Sequence, residues 1–521
     1  MLLQRVANQG IRLGTVFDRA LARHPANLLI LDHDLDVAPE LGRRIAMAEL
    51  ADLVDDLASR LWAARIRPGD RVVVHKSDGF DIPLLAVAVA RIGAVPVLLS
   101  PKLDGATVAE LLRRAAPAYL LTDGAKLTGS LPEGIGELAD GVLLAAGTHP
   151  AGTPLAELAG APRVTPVTMP ADHPSLVTHT SGTTGIPKMA VHTGWSLQAR
   201  YRPQATIAAL VRRREPLLLH VSFVHSRAIS AMTLTLSRGV PLIVLADDDP
   251  ARAAELLTRF RPGVIEAHPN SFLRWEELAD DPRRPLASVR YFSSTFDAIH
   301  PRTIRRMLAA SAHRNPKFAQ LYGQSETGPV VGRTYSRRWE PEHDGRCVGV
   351  PFPGMTDIRV VSVDGRPPTR ESPGRIEARS DGRAITFLGE PERYAAQVDG
   401  GWWKMGDVGY RTRWGCLHLL DREVDVVPGF GSTLVAEDHL LARMSDLTEV
   451  IIVGTGGRPV PVVCTRDDKP LDLDAWQAAA QGLPPMADPV HRRLADLPHT
   501  ATTKIKRLEL ARALVAEGVG R

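Results

Sequence analysis

Cysteine is scarce in this chain, since only Cys347, Cys416 and Cys464 occur among 521 residues. They lie far apart and no two have the spacing of zinc ligands, so neither a disulfide framework nor a zinc site is expected. An excess of one charge is also absent, because 63 Lys and Arg residues against 59 Asp and Glu leave a formal net charge of +4. Basic and acidic residues are interspersed, which argues against a nucleic-acid-binding surface.

Long apolar runs are missing as well. The longest, Ile82–Leu99, is interrupted by two prolines, an arginine and a glycine, which predicts a buried helix followed by a strand and not a membrane span. The first fourteen residues contain no continuous apolar segment, so no secretory signal is expected. With few cysteines and no span, we expect a cytoplasmic enzyme.

Alternating strand-like and helix-like segments indicate an α/β fold. The chain of 521 residues is too long for one core, so a large domain of α/β subdomains and a smaller α+β domain are expected. From about Thr356 to Leu420 short strands between turns predict a small β-rich subdomain. The clearest β-α-β patterns are Arg71–His75, Leu84–Ile92 and Val95–Leu99, and Val240–Leu245, Ala251–Phe260 and Val264–Ala267.

The segment 178–188, T-H-T-S-G-T-T-G-I-P-K, combines small hydroxyl residues, two glycines and a lysine. Backbone amides and hydroxyl groups of such a loop can surround phosphate oxygens, and the ammonium group adds a positive charge. It is not a Walker loop, because Pro187 precedes the lysine and no Ser or Thr follows it. A flexible surface loop is the alternative interpretation.

This segment resembles the signature loop of the adenylate-forming (AMP-binding) superfamily, which includes acyl- and aryl-CoA synthetases, peptide-synthetase adenylation domains and firefly luciferase. The signature reads Y/T-T/S-S-G-S/T-T-G-x-P-K-G; residues 180–188 match it and Met189 replaces the last glycine. The resemblance implies that ATP and AMP are bound by Thr180, Ser181, Gly182, Thr183, Thr184, Gly185 and Lys188.

A second segment, 321–328 (L-Y-G-Q-S-E-T-G), resembles the superfamily's Y-G-x-T-E motif, with Ser325 in place of the usual threonine. The resemblance implies that Tyr322 and Gly323 belong to the ATP- and AMP-binding site and that Tyr322 packs on the adenine. It also implies that Ser325 contacts the α-phosphate and that Glu326 holds Mg²⁺, for which a carboxylate is a suitable hard ligand. Without the resemblance, Glu326 would equally be a solvated loop carboxylate and Tyr322 a core ring.

Two further segments complete the resemblance. Residues 401–407 with Arg422 resemble G-W-x-x-T-G-D…G-R, which implies that Asp407 and Arg422 bind the ribose hydroxyls; alone, Asp407 would be read as a turn residue. Residues 497–507 resemble L-P-x-T-x-x-G-K-I-x-R, with Thr503 in place of the glycine. Lys504 then corresponds to the catalytic lysine, which can stabilise negative charge at the α-phosphate. A basic solvated tail is the alternative.

The acid-binding pocket is less clearly marked. His225 stands where the superfamily has the histidine of P-x-x-H-x-x-G, although that proline and glycine are absent here; it is predicted to be catalytic and to line the pocket, and a core histidine is the alternative. Ser294, Thr295 and Phe296 take the place of the family's small-residue wall, and Phe296 would narrow the pocket. With Gly328 they predict a short-chain or aryl acid.

The resemblance implies an N-terminal adenylation domain, residues 1–422, and a mobile C-terminal domain, residues 423–521, that carries the catalytic lysine. The hinge departs from the family pattern, because Val424 replaces the usual aspartate or lysine and Pro428 and Phe430 alter the following loop. The resemblance implies that the C-terminal domain rotates between the two half-reactions. Substitutions at the hinge can therefore restrict the second of these two conformations or reshape the acceptor channel.

We therefore expect an ATP- and Mg²⁺-dependent enzyme that converts a small carboxylic acid into an acyl-adenylate and releases pyrophosphate. CoA is the first expectation for the acyl acceptor. The alternative is an acyl carrier protein thiol or a non-thiol nucleophile, either an amine or a small inorganic acceptor. A nucleotide-binding pseudoenzyme is disfavoured because the charged residues of all the motifs are present: Lys188, Glu326, Asp407, Arg422 and Lys504.

Overall fold

A computed structural model of the protein describes residues 10–180, 185–210, 214–295, 299–338, 346–500 and 504–519. Within these ranges the strands form three sheets. The strands are, in chain order, β1 (Leu28–Leu31), β2 (Arg44–Ala46), β3 (Arg71–Val74), β4 (Val95–Leu98), β5 (Tyr119–Thr122), β6 (Gly141–Leu144), β7 (Thr153–Pro154), β8 (Pro174–His179), β9 (Met189–Thr193), β10 (Leu217–His220), β11 (Leu242–Val244), β12 (Val264–Ala267), β13 (Tyr291–Ser294), β14 (Lys317–Gln324), β15 (Gly328–Ser336), β16 (Cys347–Pro351), β17 (Thr356–Val361), β18 (Gly374–Ser380), β19 (Thr386–Phe387), β20 (Val398–Asp399), β21 (Trp402–Arg411), β22 (Leu417–Arg422), β23 (Leu447–Val453), β24 (Val460–Thr465) and β25 (Val490–His491).

The α-helices of the same ranges cover the sheets, and none of them is long and apolar enough to cross a membrane. They are α1 (Val16–Arg23), α2 (Met47–Ala63), α3 (Asp81–Arg91), α4 (Gly105–Ala115), α5 (Gly124–Gly129), α6 (Gly194–Leu210), α7 (Ser226–Ser237), α8 (Pro250–Phe260), α9 (Pro269–Arg274), α10 (Pro301–Ala310), α11 (Pro391–Ala395), α12 (Thr433–Arg443), α13 (Leu473–Ala480) and α14 (Arg507–Ala516).

The largest sheet has the strand order β17-β18-β21-β22-β16-β15-β14-β13-β12-β10-β11-β1-β2, and β20 pairs with β21 outside this path. From β14 to β1 the strands are parallel. From β15 to β17 they are antiparallel to their neighbours. The β-rich segment is present, as expected; its strands are antiparallel, and it extends one edge of the parallel sheet.

The second sheet, β19-β9-β8-β4-β3-β5-β6-β7, is parallel from β8 to β7 and ends in the antiparallel β8–β9 hairpin and β19. Its central strand β3 contributes Val72, Val73 and Val74, all completely buried. Strands with both faces covered read as continuous apolar runs, which is why the predicted β-α-β units were visible in the sequence. Both units are confirmed, with bounds that differ by a few residues.

The C-terminal strands form a separate sheet in the order β23-β24-β25. Leu440 of α12 and Trp476 of α13 pack on one face, and Leu510 of α14 packs on the other. A large N-terminal part and a small α+β C-terminal part are therefore present, as expected. The boundary after residue 422 stays a prediction.

Candidate active site

The site lies at the carboxyl ends of parallel strands from both large sheets. The loops after β8, β10, β13 and β14 contribute side chains to one cavity of about 250 Å³. Ligands of α/β folds bind outside the carboxyl ends of strands, where loops and backbone donors converge. Residues that line the cavity include Thr180, Lys188, His225, Ser325, Glu326 and Lys504.

Two hydrogen bonds close the base of the loop between β8 and β9. The Thr180 amide donates to the Lys188 carbonyl oxygen over 2.9 Å, and the Lys188 amide donates to Thr180 Oγ1 over 3.1 Å. Gly185 has a φ of +136°, which glycine tolerates. The hairpin therefore holds Lys188 beside the cavity. The predicted loop residues that lie outside the described part of the chain are Ser181, Gly182, Thr183 and Thr184.

Lys188 and Glu326, from two separate motifs, form one ion pair. Lys188 Nζ lies 3.2 Å from Glu326 Oε1 and 5.0 Å from the ring centroid of Phe387. Both charged groups line the cavity. A phosphate oxygen can replace the carboxylate at the ammonium group, and a metal cation can replace the ammonium group at the carboxylate.

Tyr322 near the end of β14, Asp407 within β21 and Arg422 at the end of β22 form a second cluster. The Tyr322 hydroxyl donates to Asp407 Oδ2 over 2.6 Å, and Arg422 Nε lies 3.5 Å from Asp407 Oδ1. Burial raises the pKa of the Asp407 carboxyl, while Arg422 opposes that increase. The cluster offers an acceptor and a cationic donor side by side, the combination that a ribose diol needs.

Gly323 is required by the close approach of two strands. A Cβ atom at this position would lie 2.0 Å from the Gly328 carbonyl oxygen of β15, which no side chain permits. Gly328 itself has a φ of +68°, and a Cβ atom there would meet the Arg200 side chain at 2.6 Å. Both glycines therefore act through the backbone at the cavity wall.

Arg200 is a site residue that the motifs did not reveal. It lies on α6, it is 3% exposed, and burial lowers the pKa of its guanidinium to about 9. Nη2 donates to the carbonyl oxygens of Ser325 and Glu326 over 2.9 and 3.0 Å, and Nη1 donates to Ser226 Oγ over 2.8 Å. These hydrogen bonds orient the Ser325–Glu326 turn. Because the acceptors are uncharged, they leave the positive charge of Arg200 beside the cavity without a compensating negative charge among them.

His225 caps the amino end of α7 and faces Ser325. Its Nδ1 accepts the Arg227 amide N–H over 3.1 Å, and its Nε2 lies 3.3 Å from Ser325 Oγ. Burial, and then the charge of Arg200, lowers the pKa of His225 to about 3. The ring is therefore neutral near pH 7, and because Nδ1 accepts, Nε2 carries the proton and donates toward Ser325.

An ion pair beside the cavity was also missed by sequence reasoning. Arg227 of α7 pairs with Glu266 of β12 through both Nε and Nη2. Arg227 and Thr295 line the cavity, whereas Ser294 is completely buried at the end of β13 and does not belong to the lining. The predicted wall residue Phe296 lies outside the described residues.

Lys504 reaches the cavity from the C-terminal part of the chain. Two hydrogen bonds to Thr500 hold it, because its amide donates to Thr500 Oγ1 over 3.1 Å and the Thr500 amide donates to its carbonyl oxygen over 2.7 Å. This segment is anchored by Arg507, whose two terminal nitrogens donate to the buried Glu437 carboxylate over 2.6 and 2.7 Å. Two lobes thus contribute to one cavity.

The three unusual hinge residues occupy different environments. Val424 lines the cavity and is 53% exposed, and Pro428 is exposed. Phe430 is buried in the core of the C-terminal part, so here it stabilises that part and does not shape the cavity.

Comparison with known proteins places this architecture in a family. The sequence model of the AMP-binding enzyme family matches residues 17–387, which is well over half of the chain. The chain belongs to the AMP-binding enzyme family. It is an adenylate-forming enzyme with the mixed α/β fold of that family.

The relatives of this AMP-binding enzyme include a diazotase and a CoA ligase. It is 46% identical to the 3-amino-2-hydroxy-4-methoxybenzoate diazotase of Streptomyces cremeus over 98% of this chain and 97% of that protein. It is 25% identical to a 4-chlorobenzoate–CoA ligase of Arthrobacter sp over 83% of this chain and 80% of that one. The structure of ATP-bound MatB from Rhodopseudomonas palustris is similar with a TM-score of 0.78 at 20% identity, covering 96% of this chain and 99% of that chain.

Proposed function

We propose that this AMP-binding enzyme is an ATP-dependent diazotase, which adenylates nitrite and transfers its nitrosyl group to an aryl amine that carries a carboxylate. The observation that carries the proposal is the 46% identity to an aminohydroxybenzoate diazotase along almost the full length of both chains. The CoA ligase is 25% identical over a smaller share of the chain. The substrate of that diazotase contains the aryl amine, the phenolic hydroxyl and the carboxylate that define the proposed class.

Diazotisation needs a nitrogen electrophile at the oxidation level of nitrous acid, and adenylation supplies it. A nitrite oxygen attacks the α-phosphorus of ATP, the bond to the β-phosphate oxygen breaks, and pyrophosphate leaves with the electron pair. The product is a mixed anhydride, nitrosyl-AMP. Lys504 and the Nε2–H donor of His225 line the cavity beside Ser325, where cations and donors can stabilise the charge that develops at the α-phosphate.

The amine then attacks the nitrosyl nitrogen. An N–N bond forms, the N–O bond to AMP breaks, and AMP leaves with the electron pair while the amine loses a proton. The resulting N-nitroso compound tautomerises to a diazohydroxide, which takes up a proton and loses water to give the diazonium product. No external oxidant or reductant is needed, because the nitrite nitrogen is reduced to the same extent as the amine nitrogen is oxidised.

Mg²⁺ suits the residues of the phosphate end. Glu326 supplies one hard carboxylate oxygen next to the Lys188 ammonium group, and Mg²⁺ is usually held by one or two carboxylates together with substrate phosphates. In the described ranges no group of three or more His, Cys, Asp or Glu residues has metal-binding geometry, so the phosphates would complete the coordination. When bound, the ion would neutralise charge on the pyrophosphate.

Carboxylate adenylation followed by acyl transfer is the competing function. The relationship to the 4-chlorobenzoate–CoA ligase favours it, and CoA, an acyl carrier protein or an amine would be the acceptor. The part of the cavity at Ser325 and His225 can accommodate either nitrite or a carboxylate, because both anions present two oxygen atoms in a plane. The acceptor and the activated oxyanion therefore have to be tested together.

The test uses purified enzyme, ATP, Mg²⁺ and 3-amino-2-hydroxybenzoic acid, with nitrite or CoA as the variable. The proposal predicts nitrite-dependent release of pyrophosphate and AMP, and a diazo product that couples to a naphthol dye and retains ¹⁵N from labelled nitrite. Formation of an acyl-CoA with no dependence on nitrite would overturn the proposal and support the competing function.

A further inference from the structure

Three buried polar atoms have no hydrogen-bond partner among the described residues and belong to side chains at the cavity. They are Arg227 Nη1, Ser230 Oγ and Thr295 Oγ1, and all three residues line the cavity. The residues expose 8%, 1% and 7% of their surfaces. Buried polar groups are normally hydrogen-bonded, so a cluster of unsatisfied donors indicates a ligand that supplies the acceptors.

The secondary structure brings these groups together. Arg227 and Ser230 lie three positions apart on α7, so they share one face of the helix. Thr295 directly follows β13, which pairs with β12 so that Glu266 lies opposite Ser293. The carboxyl ends of β12 and β13 and the first turn of α7 therefore form one wall.

Glu266 fixes the guanidinium group in this wall. It accepts from Nε and Nη2 of Arg227, and Glu266 is 2% exposed. A bidentate pair holds the guanidinium plane in one orientation, so the remaining Nη1 is a preorganised donor. The pair is neutral overall, and the nearby Arg200, which is bound only to uncharged acceptors, can balance a further negative charge.

We propose that Arg227, with the hydroxyl groups of Ser230 and Thr295, binds the carboxylate of the aryl amine substrate. A carboxylate presents acceptors to one guanidinium donor and two hydroxyl donors, which matches the three unsatisfied atoms. This assignment rests on the proposed function, because it names the part of the amine that the cavity recognises. It makes Arg227 the residue that selects aminobenzoates over simple anilines.

The position of the cluster favours the carboxylate of the amine over nitrite. His225 Nε2 points at Ser325 Oγ, over 3.3 Å, and this contact marks the end where the α-phosphate reacts. Arg227 is bound to Glu266 on β12 instead. In the proposed arrangement the carboxylate of the benzoate lies at Arg227 and its amine lies toward Ser325.

Equilibrium binding tests this assignment without any diazotisation. The dissociation constants of 3-amino-2-hydroxybenzoic acid and of 2-aminophenol, which lacks the carboxylate, are measured by calorimetry in the presence of AMP. For the wild-type protein the acid should bind more tightly. In R227M/E266Q, which removes both members of the ion pair, the preference for the acid should fall by about 10- to 150-fold, the range expected for a hydrogen bond to a charged group.

Further variants keep the test decisive if the double variant does not fold. S230A/T295V removes only the two hydroxyl groups and should reduce the preference by about tenfold or more, because each hydroxyl group would donate to a charged carboxylate. R91M is the matched control, because Arg91 is also 8% exposed and pairs with Asp18 and Asp55 away from the cavity. R91M should lower thermal stability and leave the preference unchanged.

An unchanged preference in folded R227M/E266Q or S230A/T295V would overturn the assignment, as would equal binding of both compounds to the wild type. A rise in the KM for nitrite with no change in amine preference would overturn it too, since Arg227 would then bind nitrite. The proposed function fails separately, if wild-type enzyme binds the acid through Arg227 but shows no nitrite-dependent pyrophosphate release.

Discussion

Replacing Lys504 with alanine removes an ammonium group that reaches the cavity from the C-terminal part of the chain. Burial lowers the pKa of His225 most, and nearby cations, Lys504 among them, lower it further, so the ammonium group lies within electrostatic reach of the histidine that faces Ser325. Loss of one preorganised charge stabiliser costs ~10²- to 10³-fold in rate, or ~3–4 kcal/mol. We expect adenylation to slow by that factor while ATP binding changes little, because the charge acts mainly on the transition state.

The assay is pyrophosphate release at saturating ATP, with the dissociation constant of ATP measured in parallel. Lys506→Ala is the matched control, since Lys506 pairs with Glu509 at 3.0 Å on the surface and such pairs contribute little. The control should retain wild-type kinetics. If Lys504→Ala released pyrophosphate as fast as the wild type, the catalytic lysine would have been assigned wrongly.

Three further predictions concern the fold and the cavity wall. Burial lowers the pKa of His75 to about 4 and that of His225 to about 3. Below about pH 6.5 the unfolded chain therefore binds more protons than the folded protein. In urea titrations the free energy of unfolding should fall by roughly 1.4 kcal/mol per pH unit per histidine as the pH is lowered from about 6.5 to about 4. If the slope of this free energy against pH were the same in His75→Leu, the prediction would be contradicted. In Gly323→Ala the new Cβ would lie 2.0 Å from a carbonyl oxygen of the neighbouring strand. The resulting displacement of the site should slow pyrophosphate release about a hundredfold. The control Gly129→Ala has open space around its Cβ and should release pyrophosphate at the wild-type rate. Arg507→Met leaves a buried carboxylate unpaired and should destabilise the C-terminal part by ~3–5 kcal/mol in urea unfolding; a loss below about 1 kcal/mol, the value of a surface pair, would refute a buried anchor.

The sequence could predict the parts of the site that depend on short contiguous segments. The glycine- and threonine-rich loop, the turn at Ser325 and Glu326, and the short segments that carry Asp407 and Arg422 are each encoded within a few residues. Lys188, Glu326 and Arg422 line one cavity, and Asp407 lines the adjoining one. The β-α-β units were predictable for a similar reason, since strands buried on both faces appear as apolar runs. Their roles in catalysis stay predictions until the kinetics are measured.

The remaining features depend on side chains that meet only in the folded chain. Arg200 contacts the Ser325 and Glu326 carbonyl oxygens across 125 and 126 positions, and Arg227 meets Glu266 across 39. No local pattern announces such contacts, because an arginine on a helix is usually exposed. Phe430 lies in the loop that follows the hinge, and the packing of the C-terminal core decides where its side chain lies. The identity of the activated oxyanion is similarly a property of the assembled cavity.

The most direct test of the central claim follows oxygen from nitrite into AMP. If a nitrite oxygen attacks the α-phosphorus and the N–O bond then breaks, each turnover with [¹⁸O]nitrite and an aminohydroxybenzoic acid leaves one ¹⁸O atom on the phosphate of AMP, which mass spectrometry detects as a shift of two mass units. We predict AMP labelled in proportion to the diazo product. Unlabelled AMP formed alongside that product would contradict nitrite adenylation. So would AMP labelled from the carboxylate in a parallel experiment with ¹⁸O-labelled acid and unlabelled nitrite.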